Sequence, residues 1–198
     1  MSQTKIKKNQ PLLDMTPMVD LAFLLVTFFM LTTKFASEEP VIVDIPSSIS
    51  EIKLPDNDIL TITISKEGSV FFNMDGKYNR QELLSKMGDR YQIEFTEQEI
   101  NSFALMTSFG MPLNKLKGFL QLEHEQQKEV IQTGIPADSL NNQLADWIVY
   151  SRMANPKLRV VLKGDRDANY PSVQKVINTL QTNNISRFNL ITNMEKAS

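Results

Sequence analysis

One acidic side chain, Asp20, lies inside an apolar run of residues 15–33 and is the residue of this sequence best suited to proton chemistry. An aspartate at the middle of a membrane helix costs roughly 2.5–3.5 kcal/mol on insertion scales. A helix N-terminus favours the charged form of a carboxyl group, whereas removal from water favours the neutral form. A carboxyl balanced between these two effects can bind and release a proton, so Asp20 is the candidate proton-translocating residue.

Helical spacing places the polar groups of this run on one stripe. At about 100° per residue, Thr16, Asp20 and Thr27 share a helix face, while the bulkiest aromatic side chains point elsewhere. Intramembrane acids almost always face protein or water, so this polar face predicts a helix inside a bundle or beside a wet cavity. Thr16 and Pro17 are typical of a helix start, with threonine as N-cap and proline at the first helical position.

The same run predicts one membrane span with a defined orientation. We expect a transmembrane helix over residues 15–36. Its apolar window, residues 15–33, spans about 28 Å as a helix, which is near the short end for a hydrocarbon core of about 30 Å. Lys5, Lys7 and Lys8 precede the run and only Lys34 closely follows it, so the positive-inside rule places residues before the span in the cytoplasm. Two alternatives are a cleaved signal peptide, which fits poorly with an acid in its core, and a buried helix of a soluble protein, which would offer more polar surface.

Composition argues against several other functions. The chain has 198 residues, a net charge of −2, no cysteine and one histidine, His124, on a charged stretch where we expect it to be solvated. A near-neutral chain is a poor nucleic-acid binder, and the lack of cysteine excludes thiol catalysis, disulfides and thiolate zinc sites. No nucleophile–base pair, phosphate loop or metal-ligand cluster is recognisable, so we expect no enzyme activity, cofactor or bound metal.

The remainder of the chain reads as a linker followed by an α/β domain. Residues 37–58 are polar and punctuated by proline, with one short strand in the motif VIVDIP. Alternating apolar residues from Leu60 to Ile64 predict a strand, and a turn at Gly68 makes it a hairpin. A later strand–helix–strand block favours parallel pairing through a right-handed crossover. We therefore expect a two-layer α/β domain, with a mixed sheet plus helices, over residues 59–198.

A long central segment, residues 91–154, reads as a helical insertion in this domain. A capping-box signature, Thr96 with Glu99, predicts a helix there, and further helices are expected over residues 113–133 and 139–153. Two interpretations of the segment remain open. It could add stability as an accessory helical layer, or it could provide an extra docking surface for a partner.

Three smaller expectations concern a short helix, a pair of aspartates and the tryptophan. A short helix is expected over residues 79–87, ended by Gly88. Asp165 and Asp167 occupy neighbouring turn positions without a third ligand, so we interpret them as a solvated turn rather than a metal site. Trp147 is expected in the core, although tryptophan is also a common anchor at interfaces.

The motif around Asp20 resembles the ExbD/TolR family of inner-membrane energy-transducing proteins. The family pattern is roughly N-x-T-P-ϕ-ϕ-D before an apolar run; Thr16, Pro17 and Asp20 match it, and Asp14 stands where asparagine is usual. The motif VIVDIP, the following hairpin and the closing strand–helix–strand block are similar to the family's outer domain. The resemblance covers over half of the chain, and the central segment departs from it.

The resemblance implies a function and a location. A homodimer of such subunits sits in the cell inner membrane inside a ring of an ExbB/TolQ-like multi-spanning partner, in contact with membrane lipid. Residues 1–14 would be cytoplasmic and the C-terminal domain periplasmic. The proton motive force drives proton passage, to which the family's membrane acid, here Asp20, contributes. The resulting motion is passed to a TonB/TolA-like protein for outer-membrane transport or envelope maintenance.

Two questions stay open at this stage. The strand formed by Val41, Val43, Ile45 and Pro46 could exchange with a sister subunit or bind a partner, or it could be an ordinary edge strand of its own domain. The alternative to the motor function is a passive, single-pass, membrane-anchored structural or adaptor protein, in which Asp20 would be only a helix–helix contact. A flagellar-type stator is a related possibility, but the chain lacks room for the larger wall-binding domain expected there.

Overall fold

A computed structural model describes residues 15–32, 40, 57–138 and 141–191. The chain divides into two compact units, residues 1–37 and residues 38–198. The first unit contains helix α1 (Thr16–Thr32). The described strands of the second unit are β1 (Ile59–Ile64), β2 (Val70–Met74), β3 (Ala137–Asp138), β4 (Asn141–Asn142), β5 (Arg159–Gly164) and β6 (Phe188–Ile191). Its described helices are α2 (Lys77–Tyr91), α3 (Glu97–Leu105), α4 (Leu113–Leu120), α5 (His124–Glu129), α6 (Gln143–Ala154) and α7 (Tyr170–Thr182).

Helix α1 begins at Thr16, one residue after the predicted start of the 15–36 span and one residue before the start that the Thr16–Pro17 cap motif predicted. The Val19 N–H donates to the carbonyl oxygen of Met15 at 3.0 Å, so Thr16 is the first helical residue and not the N-cap. Pro17 remains in the first turn, where its missing N–H has no intrahelical partner to lose. The predicted continuation beyond Thr32 lies outside the described residues. Among the helices that the structure describes, none is both long enough and apolar enough to cross a membrane.

The second unit is built on a mixed four-stranded sheet with the order β2-β1-β5-β6. The hairpin of β1 and β2 is antiparallel, and Gly68 adopts a φ of 83° in its turn, as expected. β5 pairs in parallel with both β1 and β6. The prediction of a parallel strand–helix–strand block is therefore confirmed, with α7 as the connecting helix.

One face of the sheet carries the core. Leu60, Ile62 and Ile64 of β1 are fully buried, as their alternation predicted, and Val160 and Leu162 of β5 join them. Burying each such side chain contributes roughly 1.5–3 kcal/mol relative to leaving it exposed. Because the helices of the second unit supply the opposing apolar side chains, the expected α/β domain of a mixed sheet plus helices is confirmed.

The end of α2 differs from the prediction for a physical reason. The helix continues past Gly88 to Tyr91, so the short helix expected over residues 79–87 is wrong at both ends. The left-handed residue that ends it is Gln92, with a φ of 57°. A Cβ at Gly88 would meet the carbonyl oxygen of Ile93 at 2.6 Å. Glycine is needed here because the chain folds back closely on the helix, and not because the helix stops.

The single helix predicted over residues 113–133 is also wrong. Helix α4 ends at Leu120, and a second capping box, formed by Glu123 and Gln126, starts the short helix α5. Residues 131–136 follow without regular secondary structure and include Gly134, with a φ of 92°. A fresh N-terminal cap satisfies backbone donors that a continuous helix would have bonded internally, so it favours two short helices.

Helix α6 places Trp147 at the centre of an aromatic cluster. The Trp147 ring centroid lies 5.8 Å from that of Phe72 on β2, 5.9 Å from Phe103 on α3 and 4.8 Å from Phe109. Trp147 is fully buried, which confirms the expectation that it belongs to the core. Its Nε1–H has no hydrogen-bond partner among the described residues, so the indole ring stabilises the fold through packing.

We expect Trp147→Ala to reduce the free energy of unfolding by about 3–5 kcal/mol, because it removes the largest member of the cluster and leaves a cavity. Trp147→Phe should cost less, since it keeps ring contacts and removes the unpaired donor. Urea unfolding of the full chain in detergent, followed by far-UV circular dichroism, measures both. Met153→Ala on the exposed side of the same helix is the matched control. Equal losses for Trp147→Ala and Met153→Ala would contradict the central position of the cluster.

Glu99 is a buried acid whose charge is stabilised within the described fold. Burial alone would raise its pKa, but the Thr96 N–H and the Gln121 amide each donate to the carboxylate at 2.8 Å. Together with the nearby Lys117 ammonium, these bonds hold the pKa of Glu99 below its ordinary value. The capping box predicted from Thr96 and Glu99 is present.

The lowered pKa makes the contribution of Glu99 dependent on pH. A group whose pKa is depressed on folding contributes stability above its unfolded value, here 4.5, and loses it as the pH falls through the folded value. Wild-type protein should therefore exceed Glu99→Gln in unfolding free energy at pH 7, with the difference shrinking below about pH 4.5. Fluorescence of Trp147, the only tryptophan, reports the unfolding. A difference that stayed constant down to pH 3 would contradict the assigned charge.

Candidate functional site

The candidate site lies on α1, where the continuous helix places the predicted polar residues on one stripe. Thr16 opens the helix, and Asp20 lies one turn later. Thr27 is seven residues beyond Asp20, about 10 Å farther along the axis. The three side chains therefore project from the same side of the helix.

Every described side chain of α1 is exposed, including its large apolar ones. Phe23 is 71% exposed, Met30 79% and Leu31 83%. Apolar surface on this scale is rare on soluble monomers and indicates a membrane or protein environment. No described residue donates a hydrogen bond or pairs with a cation at the Asp20 carboxylate, so the described chain leaves that group without compensation.

Thr27 is satisfied within its own helix. Its hydroxyl donates to the carbonyl oxygen of Phe23, one turn earlier. Thr32 repeats the arrangement with the Phe28 carbonyl oxygen at 2.8 Å. Such a bond to the preceding turn reduces the cost of placing a hydroxyl in apolar surroundings. It can be predicted from a threonine inside a predicted helix. Thr27 was predicted to need a partner outside its own helix, but the bond to the Phe23 carbonyl oxygen supplies one within it.

The predicted partner-binding residues Val41, Val43, Ile45 and Pro46 lie outside the described residues. That these residues form either an exchangeable strand or an ordinary edge strand therefore stays a prediction.

Asp165 and Asp167 form a hydrogen-bonded turn at the end of β5. Asp165 accepts a bond from the Asp167 N–H at 2.9 Å, and Asp167 pairs with Lys66 of the hairpin turn at 3.0 Å. This hydrogen-bonded ion pair lowers the pKa of Asp167 and raises that of Lys66. Both side chains are exposed, so the pair links two turns at the surface at little energetic gain. Within the ranges 57–138 and 141–191, no group of three potential ligands could hold a metal ion.

The surface of the central segment carries an exposed apolar groove of about 140 Å³. Ile131 on its rim is 88% exposed, and the exposed His124 lies at the start of the neighbouring helix α5. If the central segment binds a partner, as one of its two interpretations holds, this groove is a candidate surface for that contact. Its lining residues are Met111, Lys115, Phe119, Leu122, Val130, Ile131 and Thr133.

Comparison with known proteins identifies one family. The family model for the biopolymer transport protein ExbD/TolR matches residues 6–195, nearly the whole chain. No curated protein and no solved structure gives a significant match. The family match includes helix α1, the sheet and the central segment.

The geometry of Thr27 generates a prediction. Because its hydroxyl proton is already bonded to its own helix, Thr27→Val should leave unchanged the set of proteins that co-purify with the full chain. Co-purification of the full chain with its partners from detergent extracts measures this. Thr32→Val, which removes the equivalent internal bond, is the matched control. Loss of co-purification in Thr27→Val alone would show that this hydroxyl bonds across a helix interface.

Proposed function

The chain belongs to the ExbD/TolR family of biopolymer transport proteins, and from that premise we propose that it is a proton-motive-force-coupled motor subunit of the cell inner membrane. It works with an ExbB/TolQ-like channel partner and energises a TonB/TolA-like protein. The energy serves outer-membrane transport or envelope maintenance. We propose no enzymatic activity and no cofactor.

The membrane location is supported by the character of α1. Its 17 described residues rise about 26 Å, which by themselves fall short of a hydrocarbon core of about 30 Å, but its apolar side chains have no cover within the described chain. We propose that residues 15–36 form the anchor, with residues 1–14 in the cytoplasm and residues 59–198 in the periplasm. The excess of lysine before the run supports this orientation.

Asp20 carries the proposed proton step. It is the only charged residue of α1, and no described residue compensates it. Binding a proton would neutralise the carboxylate and remove most of the cost of holding it among apolar groups, and releasing the proton would restore that cost. A change of this size can bias the position of the helix against a surrounding partner. The uncompensated acid within the T-P-x-x-D motif is the observation that carries the proposal.

We propose that two copies act together, and that the strand containing Val41, Val43, Ile45 and Pro46 pairs with the sister subunit or a partner. The rival function is a passive membrane-anchored adaptor. In that case Asp20 would serve as a helix–helix contact, which asparagine could replace because it can still form hydrogen bonds across an interface. The two functions therefore predict opposite results for one substitution.

We expect Asp20→Asn to abolish proton flux while preserving assembly, because asparagine keeps the shape of aspartate and can still form hydrogen bonds but cannot bind and release a proton. Flux into vesicles that contain the chain and its multi-spanning partner, measured with a pH-sensitive dye under an imposed potential, tests this. Co-purification reports assembly. Asp14→Asn is the matched control, since it makes the same change at the position where the family usually has asparagine.

Full proton flux in Asp20→Asn would reject the motor function and favour the passive adaptor. Loss of flux in both variants would mean that negative charge near the helix start is required, and not proton exchange at Asp20 itself.

A further inference from the structure

Strand β2 lies at an edge of the sheet, yet four of its outward backbone groups are already bonded. In an edge strand, alternate residues direct their N–H and C=O groups away from the sheet, ready to pair with another strand. Here the Phe72 N–H donates to the Phe109 carbonyl oxygen at 2.8 Å, and the Phe109 N–H donates back at 3.0 Å. The Ile135 N–H donates to the Val70 carbonyl oxygen at 2.8 Å.

The third outward position of β2 is occupied by a side chain. The guanidinium of Arg80 donates through Nε to the carbonyl oxygen of Met74. The same guanidinium donates to the carbonyl oxygen of Met106 and to Asn73 Oδ1, the latter at 3.0 Å. Arg80 thus blocks the end of the strand and connects it to the central segment.

Two parts of the central segment supply the remaining contacts, and together they form the edge cover, residues 107–111 and 132–136. They are bonded to each other as well as to β2. The Gly134 N–H donates to the Gly110 carbonyl oxygen at 2.7 Å, and the Gly110 N–H donates to Gln132 Oε1 at 2.6 Å. The Ser69 hydroxyl donates to the Thr133 carbonyl oxygen at 3.2 Å. The cover is therefore a closed unit and not a loose loop.

Gly134 allows this close approach. Its φ of 92° is a conformation that residues with a Cβ rarely adopt. A Cβ at this position would also meet the Val70 nitrogen at 2.8 Å and the Ser69 Cα at 3.0 Å. Any side chain at residue 134 would push the cover away from the strand.

The opposite edge of the sheet has no such cover in the described part of the chain. β6 pairs with β5 on one side, and no other described strand lies beside it. Leu190 on this strand is 38% exposed. One edge of the sheet, at β2, is therefore bonded to other parts of the chain, whereas the other edge, at β6, has no described strand beside it.

We propose that the edge cover blocks strand addition at β2, so that this domain does not associate with other chains through that edge. Uncovered edge strands pair readily with a second chain, and covering the edge with a loop is one way in which natural sheets prevent this. The occupant that the cover excludes is an extended segment of another polypeptide, in the simplest case β2 of a second copy. This role goes beyond the proposed motor function and does not depend on Asp20.

The test uses Gly134→Ala in the full chain, kept in detergent micelles. Forcing alanine into the left-handed conformation and against β2 should displace the cover, so we expect hydrogen exchange at the Phe72 amide to become about tenfold faster in dilute protein. At higher concentration, light scattering should show assemblies larger than those of the wild type, with the Phe72 amide protected again. Gly118→Ala is the matched control, because a Cβ there meets no atom within 4 Å.

A second variant decides the matter should Gly134→Ala fail to fold. Gln132→Ala removes one of the two bonds that join the parts of the cover without deleting a core side chain, and Gln98→Ala at an exposed position of α3 is its control. The same exchange and association results would support the proposal. Unchanged exchange at Phe72, or faster exchange without added association at any concentration, would overturn it. Neither result bears on proton flux, so failure here leaves the Asp20 experiment unaffected.

Discussion

The second unit depends on the pairing of β1 with β5, two strands joined in parallel although Ile59 and Arg159, which are register partners, lie far apart in sequence. The start of this pairing is fixed by Asp58, whose carbonyl oxygen accepts from the Arg159 N–H at 2.9 Å and whose carboxylate accepts from the Asn155 amide at 2.6 Å. Everything between the strands must fold back to allow it. The central segment is therefore an integral part of the domain, and the entropic cost of closing so long a loop rises only slowly with its length.

Local chemistry made much of this fold predictable. The hairpin followed from the alternation in β1 and from Gly68, and the start of α3 followed from Thr96 and Glu99, because each signal acts within a few residues. Gly88 misled the prediction because its role is a close tertiary approach, which sequence spacing does not express. The backbone bonds of Phe109 to β2 could not be predicted either, because pairing between segments 37 residues apart leaves no pattern in the side-chain types. On α1 the stripe of Thr16, Asp20 and Thr27 was predictable from periodicity.

The two units satisfy their polar groups in opposite ways. In the second unit, the buried carboxylate of Glu99 receives hydrogen bonds from its own domain, and the Arg80 guanidinium bonds several carbonyl oxygens. On α1, Asp20 has no such compensation among the described residues, and the apolar side chains around it are uncovered. In the described part of the second unit, the buried acid is compensated by the chain itself. The described chain supplies no comparable partner for Asp20 on α1.

The position of β1 in the sheet has a mechanical consequence. β1 begins at Ile59 and is hydrogen-bonded on both sides, to β2 and to β5. A pulling force that arrives through the preceding residues acts along this central strand, while its hydrogen bonds run across it. Such loading shears both ladders at once instead of peeling them open one bond at a time. A force applied at the start of β1 would therefore meet the combined resistance of the two ladders.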